Sequence, residues 1–250
     1  MGDVNCALWE NTMKFLSKLT SLALTIVLAA APAFSYNQVK IKAKQHSAMH
    51  VIVMIQRDID GKSLHGGLCT AYAVGPHTLL TAEHCNIPET NAVYLDNEDH
   101  DAIKNNKVMS YTIISRTFDH QDHMLLDISA VNFPDTITLS ASVRTAKQGE
   151  KVYFWGTPNG VPNQYREGYV MGTMPTPKPD PEDQDSEKVD ATATLTLAAM
   201  PTIGGDSGSA VFAEKDGQLV GIVTFGFADG QVMGMFPIQF TQAQIATSMQ

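Results

Sequence analysis

Basic clusters are missing from this chain. Lys and Arg number 17 against 26 Asp and Glu, a net charge of −9, and the cations are scattered. That balance argues against nucleic acid and anionic membranes as partners. Cysteine is scarce too, at Cys6, Cys69 and Cys85. The apolar run Leu19 to Ala31 has 13 residues, short of the roughly 20 that span a bilayer. A 3.6-residue period is missing from every segment except the last, "TQAQIATSMQ", which reads as a short helix capped by Thr241. No internal repeat is visible.

From Met13 the chain reads "MKFLSKLTSLALTIVLAAAPAFS". Lys14 and Lys18, the apolar run and the small residues after it have the layout of a secretory leader, cleaved after Ala33 or Ser35. Residues 1–35 are therefore read as a leader with an upstream extension, Met13 as its start, and 36–250 as the exported domain. Its removal takes Asp3, Glu10, Lys14 and Lys18 and leaves the charge at −9. Cys6 goes with it. The remaining Cys69 and Cys85 most simply form one disulfide in an exported protein. The rival is a metal site from Cys69, His77, His84 and Cys85, at spacings that match no familiar zinc pattern.

Beyond residue 45 the pattern is one of short β-branched and aromatic runs, "HVIVMIQ", "LCTAYAVG", "HTLLTA" and others, cut by Gly, Pro, Asn and Asp. Many short strands with turn signals predict an all-β sandwich or barrel. The stretch 175–190, with four prolines and six acidic residues, is predicted to be an exposed loop.

Chemistry concentrates in three places. "IGGDSGSAVF", 203–212, has the glycines of a tight turn that presents the Ser207 hydroxyl and lets backbone N–H groups converge. A serine needs a base to act as nucleophile, and "TAEHC" supplies His84. The base needs a carboxylate to fix its tautomer. "HMLLDISAVNF" supplies Asp127 within an apolar strand, where a lone carboxylate would be costly. Asp119, Asp122 and Asp135 are read as surface acids with no such need.

With these three in order the chain resembles the chymotrypsin/trypsin-like serine proteases, in their secreted bacterial or phage-type branch. "LLTAEHC" is similar to the family's T/S-A-A-H-C, "LLDISAV" to its D-[IL]-A-[LV] strand, and "GGDSGSAV" to G-D-S-G-G-P-V; "GEKVYFWGTPNG" resembles the turn that opens the second barrel. The resemblance covers roughly 48–249. It implies two antiparallel six-stranded β-barrels, the first over about 46–133, a connector 134–148, the second barrel 149–240 and a C-terminal helix 241–249.

It further implies a secreted endopeptidase with Ser207 as nucleophile, His84 as acid/base and Asp127 as orienting carboxylate. The N–H groups of Gly205 and Ser207 form the oxyanion hole. Cys69 pairs with Cys85 and steadies the loop that carries His84. Pro201, six residues before the serine, takes the pocket floor. Pro201, Thr202, Thr224, Phe225 and Gly226 bind substrate, with Met200 and Gly234 nearby. The lack of a floor carboxylate argues against Arg or Lys at P1, and Met200, Pro201, Thr202 and Gly234 imply an apolar P1 residue. No N-terminus of the activating kind follows the leader, so Asp206 is expected to find another partner. The implied partner is a polypeptide substrate, the implied state a monomer, and no cofactor is required. "DNEDHD", 96–101, reads first as a solvated turn and second as a Ca²⁺ loop. "DHQDH", 119–123, reads as the loop before the Asp127 strand rather than a metal site. The competing functions are an inactive binding protein of the same fold and an α/β-hydrolase esterase, whose histidine would have to come last.

Overall fold

The computed structural model describes residues 37–57, 63–96, 109–176, 193–227 and 229–249. The expected leader, the acidic turn after Asp96 and the proline-rich stretch 177–190 lie outside them. The chain divides into two compact units, Met1–Ala43 and Lys44–Gln250. A helix, α1, runs over 37–47. All the strands belong to the second unit.

Six strands close the first barrel: β1 Met49–Arg57, β2 Ser63–Ala73, β3 Thr78–Ala82, β4 Ala92–Asp96, β5 Met109–Phe118 and β6 His123–Ile128, in the order β1-β2-β3-β6-β5-β4. Every pairing is antiparallel. The "TLLTA" of β3 is buried on both faces, which explains why it does not alternate apolar and polar residues. Leu79 and Leu80 share one core with Ile137 and Leu139 of the strandless segment after β6, and with Ile245 of the C-terminal helix α2, Gln242–Ser248. Thr241 caps α2 by accepting a hydrogen bond from Gln244 N, and the Gln244 side-chain oxygen accepts one from the Thr241 N–H, a reciprocal cap that satisfies two of the helix's open donors.

The second half forms one curled sheet. Its strands are β7 Lys151–Gly156, β8 Gln164–Pro175, β9 Thr194–Ala199, β10 Ala210–Ala213, β11 Leu219–Ile222, β12 Phe225–Phe227 and β13 Val232–Met235. The order is β11-β10-β7-β8-β9-β13-β12. The two end strands, β11 and β12, are consecutive in the chain and separated only by Val223 and Thr224. They are thus halves of one interrupted strand, and the chain itself joins the two edges of the sheet. The expected six strands become seven because of that interruption. The architecture is the chymotrypsin-like double barrel.

The barrels share apolar contacts. Tyr153, Trp155 and Phe212 of the second belong to the same core as Tyr72, Leu79 and Leu125 of the first. The Tyr72 hydroxyl, fully buried, donates to the Trp155 carbonyl at 2.9 Å. Burial of each such ring is worth about 1.5–3 kcal/mol, so the seam between the barrels is a fixed surface on which a site can be aligned.

Candidate active site

β3 ends at Ala82, and the chain turns at once into a 3₁₀ turn, Glu83–Cys85. Cys85 is bonded to Cys69 of β2, with the Cα atoms 6.2 Å apart. The half-cystines are 4% and 5% exposed, so the bond pins the turn from its buried side, while the His84 side chain stays partly exposed. The disulfide also removes the two thiolates that a metal site would need. Among the described residues no three His, Cys, Asp or Glu side chains form a metal cluster.

The carboxylate against His84 is Asp122. Its Oδ2 lies 2.7 Å from His84 Nδ1, and its Oδ1 accepts from the His84 backbone N–H at 2.9 Å. The Asp122 carbonyl accepts from Glu83 N at 3.0 Å, which ties the two loops together. With a neutral imidazole this contact puts the proton on Nδ1, as donor to the carboxylate, and makes Nε2 the acceptor nitrogen of the ring.

The assignment of this role to Asp127 is therefore corrected. Asp127 lies inside β6 opposite Thr78, whereas His123 is opposite Ala82. Four rungs at roughly 3.4 Å each put Asp127 about 14 Å along the ladder from the end of β3. The carboxylate has to stand at the start of the strand, level with the end of β3. Asp119 and Asp122, read as surface acids, are 7% and 3% exposed. The signal that would have found Asp122 is its place immediately before the apolar run "HMLLDI", rather than within it.

Ser207 stands in a turn built on two left-handed glycines, Gly205 (φ 98°) and Gly208 (φ 85°). Neither admits a side chain. A Cβ on Gly205 would lie 2.2 Å from the Thr157 carbonyl, and one on Gly208 would lie 2.0 Å from the Thr70 carbonyl and 3.1 Å from Ala82 N. The serine turn is thus pressed against Thr70 inside β2 and the end of β3, where Ala82 is two residues from His84. Thr70 holds it twice, through its N–H to the Ser207 carbonyl at 2.8 Å and through its hydroxyl to the Gly205 carbonyl at 2.9 Å.

Asp206, fully buried within that turn, pairs with Arg166 of β8: Nη1 lies 2.7 Å from Oδ2. The same oxygen accepts from Ile203 N at 2.9 Å. Burial pushes the Asp206 carboxyl above its ordinary value, while Arg166, the Ile203 N–H and Thr202 pull it back. The expected substitute for an activating N-terminus is an internal guanidinium.

Beside Ser207 lies a cavity of about 300 Å³. Thr202 and Gly204 form one wall, and Val223, Thr224, Phe225 and Gly226 the other. Four of the five predicted substrate contacts thus line it. Pro201 does not: it is exposed and outside the lining. The assignment of the pocket floor to Pro201 is corrected, because the chain turns outward there while Met200 points into the second barrel core. Gly234 stands behind the wall, with Phe227 and Leu195 against it. Asp229, at φ 54° in the turn after β12, borders the cavity and was not singled out from the sequence.

The trypsin-like peptidase domain family matches residues 69–222, which hold His84, Asp122 and Ser207. No curated protein sequence matches the chain. Among solved structures, the Rv3671c protease from M. tuberculosis in its active form is 19% identical, with 83% of this chain and 82% of that one aligned at a TM-score of 0.56. Its inactive form gives 18%, 83%, 90% and 0.57. The HtrA-type protease AlgW with tripeptide is 15% identical, with 84% of this chain and 61% of that one aligned at 0.54. Likeness at such identities is one of fold, whereas the family match spans more than half of the sequence. The chain belongs to the trypsin-like peptidases and is a serine-type peptidase.

Proposed function

We propose that the protein is a secreted, monomeric endopeptidase that cleaves polypeptides through Ser207, His84 and Asp122. In this reading His84 Nε2 takes the Ser207 proton as the hydroxyl attacks the scissile carbonyl. Asp122 steadies the imidazolium, and the proton then passes to the leaving amine. The N–H groups of Gly205 and Ser207 receive the oxyanion, a contribution whose loss costs about 10²–10³ in turnover. Water activated by His84 releases the acyl group. No step calls for a cofactor.

The observation that carries the reading is the two-point hold of Asp122 on His84 at 2.7 and 2.9 Å, beside a serine turn packed on Ala82. Export is supported by the leader pattern and by the Cys69–Cys85 disulfide. An apolar P1 side chain is supported by Val223 and Phe225 along the cavity. The Thr202 methyl stands 3.2 Å from where a Cβ on Gly226 would be, which narrows the slot and favours P1 residues of modest size.

Intact-mass analysis after fluorophosphonate treatment tests the proposal. One adduct on the wild type and none on Ser207→Ala is the expected result. A folded, disulfide-bonded wild type that takes no adduct would sink it and leave a binding protein in a peptidase fold.

A further inference from the structure

The loop that carries Asp122 holds a second histidine–carboxylate pair, which the mechanism above does not use. His123 Nδ1 lies 2.8 Å from Asp119 Oδ2, and both side chains are fully buried. The Asp119 carboxylate has further contacts: Oδ1 accepts from Gln121 N at 2.9 Å, and Oδ2 also accepts from Gln239 N at 2.8 Å. One carboxylate therefore grips the residue before Asp122 and the residue after it, and fastens both to the segment that leads into α2.

The grip falls where the backbone most needs it. His120 and Asp122 have φ of 60° and 59°, a left-handed conformation that non-glycine residues keep only when their surroundings impose it. Relaxation of Asp122 to an ordinary φ would swing its carboxylate away from His84.

The chemistry of His123 separates this role from simple packing. Its Nε2 is buried without a hydrogen-bond partner among the described residues. Burying an unpaired polar atom is unfavourable, and a leucine would fill similar space without it. What histidine supplies and leucine does not is the Nδ1–H that binds Asp119.

We propose that Asp119 and His123 are positioning residues that lock Asp122 in its left-handed conformation, with both carboxylate oxygens on His84. The inference rests on the reading of Asp122 as the triad carboxylate.

The test compares His123→Leu, His123→Gln and wild type in fluorophosphonate labelling and in the downfield ¹H resonance of His84 Nδ1–H. His123→Leu is expected to lower the limiting labelling rate by about 10²-fold, the loss that a shift of about 1 Å produces, with the reversible binding step within about twofold. The His84 resonance should move or broaden although neither His84 nor Asp122 has changed. His123→Gln, which keeps an N–H donor, should recover most of both signals. A folded His123→Leu with wild-type rate and wild-type resonance would overturn the proposal, even if it melts earlier. Where His123→Leu does not fold, Asp119→Asn is read by the same two measures. The resonance reports on the pair even in a protein that does not label, so failure of the peptidase reading and failure of this one remain distinct.

Discussion

Arg166 reaches from β8 to the buried Asp206 next to Ser207, its Nη1 2.7 Å from Oδ2. The same Asp206 oxygen accepts from Ile203 N, so the guanidinium and the start of the serine turn converge on one atom. The shape of that turn therefore depends on the ionised carboxylate and on a cation that the fold itself provides. The second sheet thus supplies Asp206 with an internal cation.

Arg166→Met should weaken both catalysis and stability. Breaking a buried pair on one side costs about 3–5 kcal/mol, because the remaining charge is left uncompensated. The sign with pH follows from the raised carboxyl of Asp206. The folded protein holds that proton more tightly than the unfolded chain does. The stability contributed is full below the unfolded value of about 3.9 and is lost as pH rises through the folded value. Arg166 favours the ionised form, so its removal raises the carboxyl further and widens that window. The acid limb of the labelling rate should move to higher pH in Arg166→Met. In urea titrations the gap between variant and wild type should shrink as Asp206 is protonated in both. An unmoved limb would show that Arg166 does not govern Asp206.

Asp122→Asn and Asp127→Asn give opposite expectations for two acids five positions apart. The amide at 122 would impose the wrong tautomer on His84 and lower kcat by on the order of 10⁴. The amide at 127, opposite Thr78 in the ladder, should leave kcat within about twofold, because it lies about four rungs from the histidine. Steady-state cleavage of a chromogenic peptide ester decides the matter, and equal losses would contradict the geometry.

The error over these two acids shows what the sequence makes legible. The order of histidine, acid and serine, the glycines of the serine turn and the all-β class are all local signals, and the structure agrees with them in fold. Asp127 matched a short letter pattern better than Asp122 did. What separates them is the register of β6 against β3, a long-range property that no local pattern encodes. Asp119 and His123 likewise read as one polar surface loop, because five polar side chains in a row look solvated until α2 and the segment before it cover them. Arg166 was unreadable for the same reason, since its partner lies 40 residues away. The floor role of Pro201 failed on a turn whose direction depends on the burial of Met200 in the second core.

Reduction or removal of the disulfide should act first on stability. Cys69 and Cys85 enclose a separation of 16 residues, worth about 3 kcal/mol on the chain-entropy model. At about 2–4 °C per kcal/mol for a domain of this size, the paired Cys69→Ser and Cys85→Ser variant should melt about 6–12 °C lower in calorimetry. Turnover should fall as well, because the 3₁₀ turn that carries His84 loses its anchor to β2. A variant that melts with the wild type would mean that the turn is held by the Asp122 contacts alone.

The Thr202 methyl faces Gly226 across the cavity beside Ser207. Thr202 Cγ2 lies 3.2 Å from the site of a Cβ on Gly226, and the Thr202 N–H donates to the Gly230 carbonyl at 2.8 Å, so the two walls are joined as well as close. The Thr202 hydroxyl also helps to hold Asp206 ionised, which makes Thr202→Gly a poor probe, since it would disturb the serine turn as well as the slot. Thr202→Ser removes the methyl and keeps the hydroxyl. One methyl in an apolar pocket is worth about 1–3 kcal/mol of discrimination. The ratio of kcat/KM for phenylalanine over valine at P1 should therefore rise about tenfold in Thr202→Ser, with valine itself little changed. Asp229 adds a second expectation: it is exposed at the border of the cavity rather than buried at its floor, so water screens its charge and lysine at P1 should remain a poor substrate in both proteins. A P1 profile that Thr202→Ser leaves unchanged would place the specificity limit elsewhere, at Phe225 or at the turn around Asp229.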